Sequence, residues 1–112
     1  MRINVLARIG YVYVYSNYAG TIEENDDGYR FCYDEEYLKG DNPKPVSLTL
    51  PLRKEPYISK MMFSFFDGLI PEGWLLALSE ENWKVDRRDR MGLLLSVCAD
   101  PIGSVSVRRV KE

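Results

Sequence analysis

The sequence predicts an α+β domain: an antiparallel sheet, a meander that is partly barrel-like, with about three helices packed on one side. Three observations lead there. Strand-type segments separated by tight-turn signals fill the first half of the chain, segments with helical spacing of apolar residues fill the second, and an alternating segment at the end returns to strand. The chain has 112 residues, 46% of them hydrophobic. That is enough for one domain to bury its own core. Residues 1–112 are therefore read as a single domain, with 1–9 an extra strand or an extension.

The elements follow in chain order. Tyr11 to Tyr15 is rich in aromatic and β-branched residues and reads as a strand. Ser16-Asn17-Tyr18-Ala19 reads as a turn, and Gly20 to Glu23 as the returning strand. Asn25-Asp26-Asp27-Gly28 is a hairpin signal, because Asp-Gly accepts positive φ angles. Tyr29 to Tyr33 forms the next strand. Asp34 to Leu38 makes one helical turn, capped by Asp34 and closed at Gly40. Pro43 and Pro45 mark a loop. Val46 to Leu50 alternates and reads as a half-buried strand stopped by Pro51.

In the second half, Ser59 is placed as the N-cap of a helix over Lys60 to Leu69. Met62, Phe65, Phe66 and Leu69 form its apolar stripe. Pro71 disfavours a helical Ile70 and opens a second helix, which runs to about Trp83. Asp86 caps a third helix bearing Met91, Leu94, Leu95 and Cys98, with Asp89 as a box-like partner three residues on. Asp100 to Gly103 is a turn, and Ser104 to Val110 closes the sheet.

Composition narrows the function. There is no histidine, the commonest general base. The eight glycines are isolated, so no phosphate-binding loop is formed. The paired acids Asp34-Glu35-Glu36 and Glu80-Glu81 read as capping or solvated groups, since adjacent helical residues point apart. Cys32 and Cys98 are far apart with no CxxC spacing, which excludes a zinc set and fits two free thiols in a reducing cytosol. Net charge is −2 and the basic residues are scattered, which argues against direct nucleic-acid binding. No apolar run reaches membrane-spanning length. These readings predict a cytoplasmic protein with no catalytic residues, cofactor or metal, working by binding another protein.

Phe63 to Leu76 is the informative stretch. Trp74-Leu75-Leu76 places three large apolar residues in a first helical turn. They span about 200° of the helix, whereas a core-facing stripe needs little more than 100°. Either neighbouring elements cover all three, or Trp74 projects onto a partner, where tryptophans often dominate binding energy. The candidate partner-contact residues are Asp67, Ile70, Pro71, Glu72, Gly73 and Trp74.

The same stretch carries a family resemblance. Phe65-Phe66-Asp67-Gly68-Leu69-Ile70-Pro71-Glu72-Gly73 resembles the FFDNLLPEG-like signature of the N-terminal domain of HipA-type toxin kinases, with Gly68 in place of the usual Asn. Pro45 to Leu52, Tyr29 to Leu38, Asp89 to Leu94 and Asp100 to Val105 resemble further segments of that family in the same order. The Ala99-Asp100-Pro101 turn departs from the family's usual one. The resemblance covers about residues 10 to 110. In the family this domain precedes a kinase domain with the ATP loop and catalytic aspartates, and the kinases phosphorylate aminoacyl-tRNA synthetases.

A stand-alone copy is similar to HipS, the small subunit of HipBST toxin–antitoxin systems, in which the kinase HipT is a separate chain and HipB is a helix-turn-helix DNA binder. The resemblance therefore implies an antitoxin-type subunit that docks on a HipT-like Ser/Thr kinase toxin and inhibits it. Its alternatives are a non-inhibitory scaffold linking the kinase to a HipB-like protein, and an N-terminal fragment of a longer HipA-like kinase.

Overall fold

The computed structural model describes residues 8–70, 89–98 and 104–111. Among the described residues five strands form one sheet in the order β4-β3-β2-β1-β5, antiparallel throughout. They are β1 (Arg8–Val14), β2 (Asn17–Asn25), β3 (Gly28–Tyr33), β4 (Tyr57–Ser59) and β5 (Val105–Arg108). Three helices accompany them among the described residues: α1 (Glu35–Lys39), α2 (Ser64–Leu69) and α3 (Arg90–Val97). The fold is α+β, and among the described residues the sheet is open, with β4 and β5 at its edges.

Alternation along each strand decides which face is the core. Val12 lies opposite both Gly20 and Val107, and Ile22 opposite both Gly10 and Phe31. Val12, Ile22, Phe31 and Val107 are fully buried. Phe66 of α2 and Met91, Leu93 and Leu94 of α3, also fully buried, complete this core. Close packing needs Gly10, where a Cβ would come within 2.6 Å of Val107 and 2.9 Å of Leu95. The opposite parity carries Tyr11, Tyr13 and Tyr18, with the Tyr13 and Tyr18 ring centres 5.7 Å apart.

The Asn25–Gly28 hairpin forms as the sequence predicts. Gly28 has φ +136°, and Asp27 N–H donates to Asn25 Oδ1 at 2.8 Å. Asp34 caps α1 by accepting from Tyr37 N–H at 3.2 Å, and the Gly40 N–H closes its end onto the Tyr37 carbonyl. Helix α2 stops at Leu69, and Ile70 is extended (φ −72°, ψ 116°), as expected of a residue before proline.

Several expectations are corrected. The first turn is Tyr15-Ser16, not Ser16 to Ala19, and β2 already begins at Asn17. Val46 to Leu50 is not a strand. Ser47 and Leu50 make only an isolated bridge, and the Leu50 N–H bonds back to the Ser47 carbonyl at 3.1 Å. The Tyr33 hydroxyl accepts from Val46 N–H at 2.9 Å and donates to the Leu50 carbonyl, pinning both ends of a local turn. The alternation seen in sequence is therefore two buried ends, Val46 and Leu50, around an exposed Leu48.

Ser59 is not the cap of α2. It ends β4, which pairs with Tyr29 to Phe31, and the helix begins only at Ser64. Helix α3 is capped by Asp89 rather than Asp86, because the Asp89 side chain reaches Gly92 N–H at 3.1 Å. Asp86 itself, the expected strand before Arg8, and the second helix from Pro71 to Trp83 lie outside the described residues.

Candidate functional site

Phe66 anchors the segment singled out in the sequence. Its ring is fully buried and lies 5.2 Å from the ring centres of both Phe31 and Phe65. This contact ties α2 to the centre of the sheet. Ile70 is 8% exposed and belongs to the same core.

Asp67 lies one residue beyond Phe66, on the rim. Arg90 Nε at the start of α3 donates to Asp67 Oδ1 at 2.5 Å. The pair is partly open to water, with Asp67 44% and Arg90 34% exposed. It spans two helices that the sequence separates by 23 positions. Beside it is a shallow hollow of about 430 Å³, lined by Met61, Met62, Ser64, Asp67, Gly68 and Arg90. Met61 is 76% exposed. At Gly68 an added Cβ would meet nothing within 4 Å, so no packing within the described fold demands glycine there.

Of the six candidate contact residues, the structure thus brings Asp67 and Ile70 onto one short helix end, one at the surface and one in the core. Pro71, Glu72, Gly73 and Trp74 lie outside the described residues. Arg90 was missed from sequence. It sits in the run Arg87-Arg88-Asp89-Arg90, where nothing in the spacing marks one cation for Asp67.

No group of three histidine, cysteine, aspartate or glutamate side chains is placed to hold a metal ion among the described residues. Both cysteines are free; burial pushes the Cys98 thiol up to about 11. No helix of the described residues is long and apolar enough to cross a membrane.

Comparison with known proteins supplies the family. The model of the HipA N-terminal domain matches residues 10–108. An uncharacterized protein of Haemophilus influenzae is 30% identical over 107 residues, which is 96% of this chain and 97% of that one. A putative kinase of Sinorhizobium fredii, Y4mE, is 43% identical over 77 residues, which is 69% of this chain but only 18% of the kinase. Among solved structures, an N-terminal domain of HipA toxin superposes with a TM-score of 0.70 at 28% identity, covering 100% of this chain and 99% of that one. The Phe65 to Gly73 signature, the antiparallel sheet and these matches agree, and the chain belongs to the HipA N-terminal domain family.

Proposed function

We propose that this chain is an antitoxin-type binding subunit that docks on a separate HipA- or HipT-like Ser/Thr kinase toxin and inhibits it. One observation carries the reading. The match fills 97% of the Haemophilus influenzae relative but only 18% of the Sinorhizobium fredii kinase. The same domain therefore makes up nearly all of one polypeptide and a small part of another. A domain that some relatives carry joined to a kinase has a surface suited to that kinase, and a separate copy can offer the surface in trans.

The proposed contact runs from Asp67 through Pro71, Glu72 and Gly73 to Trp74, and Phe66 and Ile70, on either side of Asp67, are anchored in the core. A contact residue flanked by anchored neighbours, as Asp67 is, loses less entropy on binding. In this reading the chain has no catalytic role, as the N-terminal domain of the toxin is a non-catalytic one, and it acts in the cytoplasm, where free thiols persist.

The test is co-expression with a HipA- or HipT-like kinase from the same genome, reading growth and co-purification. The proposal expects the chain to co-purify and to rescue growth, and Trp74→Ala to lose both with a near-native melting temperature. Co-purification without rescue would favour a scaffold that links the kinase to a HipB-like DNA-binding protein. A stable Trp74→Ala variant that still rescues growth would remove Trp74 from the interface. If Trp74 is core instead, its truncation costs about 3–5 kcal/mol of stability.

A further inference from the structure

Three tyrosine hydroxyls hold one surface loop. Tyr37 donates to the Lys44 carbonyl at 2.7 Å and accepts from the Lys44 N–H at 3.1 Å. Tyr33 accepts from the Val46 N–H and donates to the Leu50 carbonyl, and Tyr57 donates to the Pro51 carbonyl at 2.6 Å. At the tip of the loop stands Leu48, 94% exposed. We propose that Leu48 is a second anchor for the kinase toxin, entering an apolar pocket on the kinase surface. The proposal rests on the kinase-docking reading and adds to it a contact remote in sequence from Asp67 and Trp74.

A single exposed leucine is ordinary on a protein surface. What distinguishes Leu48 is how firmly its turn is fixed. Pro43, Pro45 and Pro51 each lock one backbone rotation of the loop. Inside the turn the Leu50 N–H donates to the Ser47 carbonyl at 3.1 Å, and the Thr49 N–H to the Ser47 hydroxyl at 3.2 Å. The Tyr33 and Tyr37 rings stack 6° from parallel with centres 6.3 Å apart, which braces the clamps themselves. The bonds to Lys44 and Pro51 are exposed, where water would satisfy the same carbonyls. Their effect is to fix shape rather than to satisfy buried groups. Without a partner, this rigidity only holds a large apolar side chain in water. A rigid apolar anchor loses little entropy when it enters a pocket.

Two observations point to the kinase as the partner. The match to the Sinorhizobium fredii kinase takes in 77 of the 112 residues. A stretch of that length cannot avoid residues 36–77, so the loop and the docking segment both lie in the part this chain shares with a kinase. The second observation is continuity. Val46 and Leu50, on either side of Leu48, lie in one buried cluster with Phe66 and Ile70, on either side of Asp67. The turn and the end of α2 therefore rise from the same core. From Val46 to Leu52 the sequence has no charged residue, while Lys44, Arg53 and Lys54 border it. An apolar centre with a charged rim is the arrangement of a protein interface.

The test is a binding titration of the whole chain against a HipA- or HipT-like kinase from the same genome. Leu48→Ser should weaken binding about tenfold or more, the worth of burying one leucine side chain, at an unchanged melting temperature. Leu48→Met keeps an apolar anchor of similar size and should bind within about threefold of the unaltered chain. Tyr33→Phe frees both ends of the turn and should also weaken binding. Added to Leu48→Ser it should weaken binding no further, because the clamp acts through Leu48. Binding that Leu48→Ser leaves unchanged would overturn the second anchor and leave docking through Trp74 standing. No binding by the unaltered chain would remove the docking reading, and this anchor with it. If Leu48→Ser instead splits a dimer of the chain in light scattering while kinase binding is kept, a second copy covers the leucine and the proposal falls.

Discussion

Arg8 and Asp89, 81 positions apart, meet in a two-point ion pair: Arg8 Nη2 donates to Asp89 Oδ1 at 2.7 Å and Nη1 to Oδ2 at 3.0 Å. The same carboxylate caps α3 through the Gly92 N–H. Arg8 also bonds Glu24, its neighbour across β1 and β2, at 2.7 Å. One guanidinium thus joins the end of the sheet to the start of a helix. Asp89→Ala should cost about 1 kcal/mol for the lost cap. The partly exposed ion pair should add about 0.2–1 kcal/mol. A double-mutant cycle with Arg8→Ala, read by urea unfolding, separates the two contributions.

The pair also sets an acid response. The hydrogen bonds from Arg8 hold the Asp89 carboxyl below the ordinary aspartate range, against an opposing push from burial and with help from the Gly92 N–H. A depressed folded value means the stabilisation is fully present above the unfolded pKa and disappears as pH falls through the folded one. The stability gap between the chain and Asp89→Asn should therefore be constant above about pH 5 and close below about pH 4. A gap that persists at pH 2.5 would show that the charge on Asp89 is not its source.

Cys98 should respond at the opposite end of the scale. Its thiol is 4% exposed, and Sγ donates to the Leu69 carbonyl at 3.5 Å. Burial pushes its pKa up to about 11. A raised folded value keeps the contribution complete below the ordinary thiol pKa, near about 8.5, and loses it as pH rises through the folded one. At pH 8 a disulfide reagent should therefore titrate the half-buried Cys32 quickly and Cys98 only at the rate of unfolding. Two equally fast thiols would contradict this burial.

How far the sequence was legible depends on the range of the forces involved. Local chemistry was readable: the Asp27-Gly28 hairpin, the Asp34 cap and the stop before Pro71 each follow from a few adjacent residues. Pairing at a distance was not. Tyr57 to Ser59 is only three residues long and becomes a strand because Tyr29 to Phe31 is there to receive it. Val46 to Leu50 alternates like a strand, but the hydroxyl of Tyr33 holds it as a turn. In the candidate site, Asp67 was visible through the signature, whereas its partner Arg90 depends on how two helices meet. Tyr15 read as the last residue of a strand, but β1 ends at Val14 and its φ of +54° places it in the turn.

Gly68 separates fold from function most cleanly. It is exposed and lies within α2, where glycine costs a helix about 0.5–1 kcal/mol relative to alanine. Because an added Cβ would meet nothing within 4 Å, Gly68→Ala should raise stability by about 0.5 kcal/mol, the low end of that range for so short a helix. Gly68→Arg should also fold, since the long side chain leaves into open space. The two variants diverge only if something approaches that face. With α2 at the kinase-docking surface, Gly68→Ala keeps co-purification with the kinase and Gly68→Arg loses it at an unchanged melting temperature. If both variants co-purify equally, the partner does not cover the exposed side of α2, and the contact must be confined to the residues beyond Ile70.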